Sequence, residues 1–172
     1  MNKKYILTKN TKEVFGKTLY QIEALVSFGS VVKGELGGFI EKEENLSQVS
    51  GNAWVYGNAQ VYEDAWVYGN AQVYGNAQVS GDARVSGDAR VSGNAWVYGD
   101  ARVSGDAQVY GNAWVYGDAR VSGNAQVYGE LRLLAGHFFG IRNKKEEIKY
   151  QKIDDENELI YKGETKFGEK ES

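Results

Sequence analysis

The chain has 172 residues, a formal net charge of −3 and neither cysteine nor proline. This length suits one domain, and the lack of cysteine excludes disulfides, thiol nucleophiles and cysteine-based metal sites. The negative charge argues against broad electrostatic binding to nucleic acid. The N-terminal stretch MNKKYILTKN lacks the apolar run of a signal peptide, and no segment reaches transmembrane length. We therefore expect a cytoplasmic protein that has no membrane partner.

Residues 1–46 are predicted to form an N-terminal β cap and a first irregular coil. The segments KYILT and TLYQIEAL show the alternation of short strands. Further along, Ile40 resembles a first inward-facing position, with Gly38 at the small position before it. We expect the loop EKEEN to lengthen this coil by three residues before Val49.

Residues 47–134 repeat a unit of six: Gly, Asn or Asp, Ala, a variable residue, Val, and Tyr or Ser. A helix is excluded, because a period of six fits no helical stripe and a glycine in every unit would cost roughly 1 kcal/mol relative to alanine. The valine series ends with Leu133 and comprises Val49, Val55, Val61, Val67, Val73, Val79, Val85, Val91, Val97, Val103, Val109, Val115, Val121 and Val127.

Short strands joined by turns fit this unit. In Trp96-Val97-Tyr98, strand alternation turns Val97 inward and both neighbours outward, and Ala95 also points inward. The Gly-Asn and Gly-Asp pairs form the corners, since these residues tolerate left-handed backbone angles. Such strands are too short to be stable alone, so each must stack on the next coil. The repeat therefore predicts an all-β solenoid with a column of valine along its axis.

The spacing from Val97 to Ala101 and from Val103 to Ala107 resembles the hexapeptide repeat of left-handed parallel β-helix proteins. That resemblance implies left-handed triangular coils of eighteen residues, about five to six of them, and assembly into a homotrimer. The run GELGGFIEKEENLSQVSGNAWVYGNAQVY, residues 34–62, also resembles a group of small phage and prophage proteins.

With eighteen residues per coil, outward positions form columns about 4.8 Å apart on three faces. We name each face after its commonest or most conspicuous residue. The arginine face carries Trp66, Arg84, Arg102 and Arg120, flanked by Tyr68, Ser86, Ser104 and Ser122. The glutamine face carries Trp54, Gln72, Arg90, Gln108 and Gln126, flanked by Tyr56, Tyr74, Ser92, Tyr110 and Tyr128. The tryptophan face carries Gln60, Gln78, Trp96, Trp114 and Arg132, flanked by Tyr62, Ser80, Tyr98, Tyr116 and Leu134.

An aspartate precedes each arginine of the arginine face by two residues, at Asp82, Asp100 and Asp118. One interpretation is a solvated ladder in which opposite charges neutralise each other. The other is that each aspartate holds its arginine in place, so that the guanidinium groups bind an anion such as phosphate.

The outward aromatic residues also have two interpretations. Trp and Tyr on two-thirds of the surface favour contact between subunits, or they stack on a planar ligand such as a nucleobase. A groove between subunits would combine both uses. The candidate ligand-binding residues are Arg84, Arg102, Arg120, Ser86, Ser104, Trp66, Trp96, Trp114, Tyr98 and Tyr116.

Residues 135–172 are predicted to form a C-terminal cap from LLAGHFFGIRN, a β-hairpin from EEIKYQKI and ELIYKGE, and a charged tail. His137 is the single histidine. Acyltransferases of the hexapeptide class use a histidine as general base, but here it follows the repeats, and these lack the long loop of such enzymes. We therefore expect a structural His137, no catalytic residue and no cofactor. The corner residues supply too few oxygens for calcium, so no metal site is expected.

Three functions remain open. The first is a non-enzymatic phage-type protein that takes up a small anionic ligand, for example a nucleotide signal of bacterial antiviral defence, in grooves between subunits. The second is a hexapeptide-repeat acyltransferase, which predicts acetyl-CoA turnover that is lost in His137→Ala. The third is a structural or protein-interaction module that binds no small ligand.

Overall fold

The computed structural model describes residues 3–49, 51–142 and 147–148. Over this range the chain is an all-β parallel solenoid of about six turns, with about 18 residues per coil. The helical content of the described residues is one short 3-10 helix, Glu43–Asn45. The predicted fold class is confirmed in these terms, and the left-handed sense of the coil stays a prediction.

Three longer strands come first: β1 (Tyr5–Val14), β2 (Lys17–Ala24) and β3 (Leu36–Ile40). The remaining strands have two residues each: β4 (Trp54–Val55), β5 (Gln60–Val61), β6 (Trp66–Val67), β7 (Gln72–Val73), β8 (Gln78–Val79), β9 (Arg84–Val85), β10 (Arg90–Val91), β11 (Trp96–Val97), β12 (Arg102–Val103), β13 (Gln108–Val109), β14 (Trp114–Val115), β15 (Arg120–Val121), β16 (Gln126–Val127), β17 (Arg132–Leu133), β18 (His137–Phe138), β19 (Ile141–Arg142) and β20 (Glu147–Ile148).

The three predicted faces are three parallel sheets. The arginine face has the order β6-β9-β12-β15-β18, and the glutamine face has the order β4-β7-β10-β13-β16-β19. The tryptophan face continues from β1, β2 and β3 through β5-β8-β11-β14-β17-β20. Trp96 is in register with Gln78 on one side and Trp114 on the other, which confirms the eighteen-residue columns.

Backbone hydrogen bonds join each coil to the next. The Trp96 amide donates to the carbonyl of Ala113 at 2.9 Å, and the Tyr98 amide donates to Val115 at 3.0 Å. Inside, every valine of the repeat from Val55 to Val127 is fully buried. Burial of each such side chain contributes about 1.5 kcal/mol or more, so the valine column supplies the main apolar core.

The first coil differs from the prediction. Val49 is 73% exposed and does not belong to the core, whereas Leu46 is buried and bridges to Val67. Ile40 is in register with Val61, as expected. The three extra residues therefore lie between Leu46 and Val55, after the inward position of Leu46 and not before it. The predicted boundary at residue 47 falls within this coil.

The N-terminal residues cap the solenoid, as predicted. Strands β1 and β2 form an antiparallel hairpin, β2 pairs with β3, and β3 joins the first complete coil in parallel to β5. Gly37 and Gly38 allow this approach: a Cβ atom on Gly37 would lie 2.5 Å from Ile22, and one on Gly38 would lie 2.6 Å from the Ala59 carbonyl oxygen. The LGGF motif is thus explained by packing.

The cap covers the edge of the glutamine face. Trp54, which we expected at the surface, is fully buried beneath Tyr5 and Phe28, whose rings lie edge-on at 6.0 and 5.4 Å. The Lys4 ammonium group donates to the Ala53 carbonyl at 3.0 Å and lies 4.5 Å from the centre of the Phe28 ring. Lys4 therefore satisfies a carbonyl group at the edge strand β4.

The C-terminal boundary at residue 134 is also wrong, because β18, β19 and β20 continue the three sheets in parallel. Phe138 is buried in register with Val121 and extends the core column. The spacing shortens from eighteen residues to seventeen between Arg120 and His137, which conceals this coil in the sequence. The predicted hairpin extends outside the described residues, and its first segment contains β20, which stacks on β17.

The corner glycines combine a left-handed backbone with close stacking. Gly93 has a φ of +67°, and a Cβ atom there would lie 3.0 Å from the amide nitrogen of Gly111 one coil away. Gly57 has a φ of +59° with nothing within 4 Å of its Cβ position. A side chain at Gly57 would therefore have only the conformational cost of the left-handed backbone, whereas a side chain at Gly93 would add a steric cost.

We predict that Gly93→Ala lowers the melting temperature more than Gly57→Ala. Both variants carry the roughly 1–2 kcal/mol cost of a left-handed alanine, and Gly93→Ala adds a clash with Gly111. Each kcal/mol corresponds to roughly 2–4 °C for a chain of this size. Thermal unfolding followed by circular dichroism measures both, and equal losses would show that the close approach of coils contributes nothing.

The buried Lys4 predicts a pH dependence of stability. Burial lowers the pKa of Lys4 from 10.5 to about 8, so the folded state binds fewer protons than the unfolded state between these values. Stability should therefore rise with pH from about 8 towards 10.5. We expect a melting temperature that is higher by a few degrees at pH 9.5 than at pH 7.5, and a weaker rise in Lys4→Met.

The matched control is Lys9→Met, which removes an exposed lysine nearby and should keep the rise with pH. A rise of equal size in Lys4→Met would contradict the assignment of the effect to Lys4.

Candidate functional site

The arginine face brings three of the predicted ligand-binding cations together. Arg102 is in register with Arg84 on one side and Arg120 on the other, and all three side chains are exposed. Ser86 and Ser104 flank the arginine column and are partly buried. Their amides donate to the carbonyl groups of Val103 and Val121 at 2.9 Å, so the ladder holds the backbone of each rung in place.

The predicted clamp of aspartate on arginine is absent. Among the described residues, no carboxylate oxygen of Asp82, Asp100 or Asp118 lies within 4.0 Å of a guanidinium nitrogen of the arginine face. The aspartate column starts with Asp64, which is paired instead with Lys42 at 2.6 Å. This hydrogen bond lowers the pKa of Asp64. Asp82, Asp100 and Asp118 lie in the turns that precede the arginine strands.

Trp66 lies at the N-terminal end of the arginine column, in register with Arg84. Its ring stacks on Tyr68 with a centroid distance of 4.1 Å and an interplanar angle of 23°. Trp66 is 39% exposed. The arginine face of one chain therefore contains both an aromatic stack and a cationic column, without help from a second subunit.

The other predicted aromatic residues lie on the tryptophan face. Trp96 and Trp114 stack at 5.2 Å and 8°, and the Arg132 guanidinium lies 4.4 Å from the centre of the Trp114 ring. Both π faces of Trp114 are therefore occupied within the chain. A nucleobase would have to displace Arg132 to stack on Trp114, and the use of Trp114 in ligand binding stays a prediction.

Tyr98 and Tyr116 form a second stack beside the tryptophans, at 5.0 Å and 9°. Burial raises the pKa of Tyr98, an effect that nearby Arg132 opposes. The Tyr98 ring also meets Trp114 edge-on at 6.2 Å. These rings stack along the solenoid, so they form a rigid, partly exposed aromatic surface rather than a set of open ring faces.

Within one chain, the ten predicted site residues thus fall into two groups on different faces. The arginine face holds Arg84, Arg102, Arg120, Ser86, Ser104 and Trp66. The tryptophan face holds Trp96, Trp114, Tyr98 and Tyr116. A groove in which the two groups meet requires a second subunit and stays a prediction.

Sequence reasoning missed the position of His137. It is exposed and in register with Arg120, so it forms the next rung of the arginine column. Its ring lies 6.2 Å from that of Phe139, edge-on. The buried Phe138 beside it is the signal that could have revealed this rung, because it takes the inward position of valine.

The described residues contain no group of three or more His, Asp or Glu side chains arranged to hold a metal ion. In the same part of the chain, no helix has the length and apolar composition needed to cross a membrane.

The stacked coils, buried valine column and glycine corners define this chain as a parallel β-solenoid protein. Its repeats match the family model of the YdcK β-solenoid repeat at residues 47–63, 59–75, 77–93, 83–99, 89–105, 95–111, 107–118 and 113–129. The chain is thus similar to YdcK solenoids in the segment that carries the three faces. Comparison with curated proteins finds no match.

The separation of aspartate from arginine leads to a prediction. Asp82, Asp100 and Asp118 stack like charges, which destabilises neighbouring strands by roughly 0.2–1 kcal/mol. We expect Asp100→Asn to raise the melting temperature at low salt, and the gain to shrink at high salt because screening weakens the repulsion. If Asp100 clamped Arg102, the same change would lower the melting temperature.

The matched control is Asn94→Asp, in the corner column leading onto the tryptophan face. There the side-chain amides of Asn76 and Asn94 donate to the next asparagine, Asn94 and Asn112, each at 3.2 Å. Asn94→Asp removes one of these hydrogen bonds and should lower the melting temperature.

Proposed function

We propose that the protein is a non-enzymatic binding protein, assembled as a homotrimer, that takes up a small anionic ligand such as a nucleotide. The observation that carries this proposal is the column of Arg84, Arg102 and Arg120, whose guanidinium groups are exposed and have no carboxylate partner within 4.0 Å among the described residues. Guanidinium groups in this state offer paired donors to phosphate oxygens.

The resemblance of residues 34–62 to small phage and prophage proteins suggests a biological setting. In that setting the protein would sequester a nucleotide signal of bacterial antiviral defence in the host cytoplasm. A sponge of this kind needs only affinity and abundance, which fits a repeat that multiplies one binding element along its length.

The tryptophan face supports assembly of the trimer. The stacked Trp96 and Trp114 and the neighbouring Tyr98 and Tyr116 are held rigid and remain partly exposed. Aromatic residues of this kind are enriched at the centres of subunit interfaces. The same observation favours the second candidate, a purely structural or protein-interaction module, in which this face binds another chain and the arginine face has no ligand.

Native mass spectrometry of the full-length protein purified from cells tests both candidates. We expect a trimer that carries a small-molecule mass matching a nucleotide. Titration calorimetry of the ligand-free protein with cyclic and linear nucleotides should then show binding that is lost when Arg84, Arg102 and Arg120 are all changed to Ala.

The matched control is Arg90→Ala. Arg90 occupies the same GDARVS unit but lies on the glutamine face between Gln72 and Gln108, so its loss should leave binding unchanged. An assembly that carries no small molecule and gives no heat with any nucleotide would refute the binding function and favour the interaction module.

A further inference from the structure

The arginine face arranges its binding groups in one line. From the N-terminal end, the column runs Trp66, Arg84, Arg102, Arg120 and His137, each in parallel register with the next. Successive rungs are about 4.8 Å apart, the spacing of hydrogen-bonded strands. A ligand that uses the whole face must therefore be extended along the solenoid.

The two ends of this line differ in chemistry. Trp66 stacks on Tyr68 on one side, and among the described residues no arginine guanidinium lies over its ring. Trp66 is also 39% exposed, so part of its ring is accessible to a planar aromatic group. The three arginine rungs that follow are cationic and have serine hydroxyl groups beside them, which are donors suited to phosphoryl oxygens.

The aspartates around the arginine column favour a ligand that contacts several arginines at once. Asp82, Asp100 and Asp118 precede the three arginines, and Asp88 and Asp106 follow at the next corner. These carboxylates cancel the long-range field of the arginines, so a single anionic group gains little from steering. Affinity must come from direct hydrogen bonds to successive guanidinium groups. One phosphoryl group is too short to contact the whole column, whereas a chain of them can follow it.

We infer that the arginine face binds a linear nucleoside polyphosphate along the solenoid, with its base on Trp66 and its phosphoryl groups on Arg84, Arg102 and Arg120. His137 lies beyond Arg120 and lengthens the site for longer chains. This inference rests on the proposed function and narrows it: a cyclic dinucleotide, whose two phosphates are held in a ring, cannot follow the column.

Titration calorimetry of the full-length protein with AMP, ADP, ATP, inorganic triphosphate and a cyclic dinucleotide, in the absence of divalent cations, tests the inference. We expect the affinity to rise about tenfold with each added phosphoryl group, as a charge-assisted hydrogen bond is gained. The cyclic dinucleotide should bind no better than AMP.

Single-residue variants test where the base and the last phosphoryl group of the ligand bind. Trp66→Ala should weaken ATP about tenfold and leave inorganic triphosphate unchanged, since base stacking contributes on this scale, and Trp66→Phe should restore ATP binding. Arg120→Ala should weaken ATP but not AMP, and Arg90→Ala should weaken neither. Circular dichroism melts check that each variant is folded.

The outcomes separate the two proposals. If no anion binds, both the proposed function and this inference fail. If the cyclic dinucleotide binds as tightly as ATP and the three arginines are required, the proposed function stands and the linear site is wrong. If Trp66→Ala affects ATP and inorganic triphosphate equally, or neither of them, the placement of the base on Trp66 is wrong.

Discussion

The stacking of each coil on the next is the interaction on which the rest of this molecule depends. A strand of two residues, such as Trp96–Val97, has no stability of its own. It persists because its backbone amides bond to the neighbouring coil and because Val97 joins a continuous buried column. The identity of an outward side chain matters little to these backbone bonds and to the valine core, so the outward positions are free to carry recognition.

The same constraint explains the elaborate N-terminal end. A solenoid leaves unpaired backbone groups wherever it stops, and these must be covered. Lys4 bonds the Ala53 carbonyl, Asn45 bonds the carbonyl groups of Glu63 and Ala65, and the Tyr5 hydroxyl bonds those of Glu43 and Leu46. Burying a lysine has a cost in desolvation, which the lowered pKa of Lys4 records.

Stacking also turns each outward choice into a column. An arginine repeated every eighteen residues becomes a cationic column. Two tryptophans become a stack in which Trp96 covers one ring face of Trp114, and Arg132 covers the other. The arginine face is therefore the stronger candidate for a ligand, and the tryptophan face is the stronger candidate for a subunit contact. Both assignments follow from which atoms remain available after the columns have formed.

The sequence by itself determined a solenoid with an inward column of valine, because a strict period of six makes the inward positions a matter of counting. The eighteen-residue coil, and with it the three faces and the arginine column, was implied by the resemblance to hexapeptide-repeat proteins. Only the tertiary structure decided that Leu46 replaces Val49 in the core, that Trp54 is buried and that His137 extends the arginine column. Around Leu46 and His137 the period is interrupted, so packing against the neighbouring coil selects the inward residue. Trp54 keeps the period and is buried because Tyr5 and Phe28 of the cap cover it. The repeat pattern predicts which residues are neighbours in a column. It does not predict which of their side-chain atoms are in contact, or at what distance.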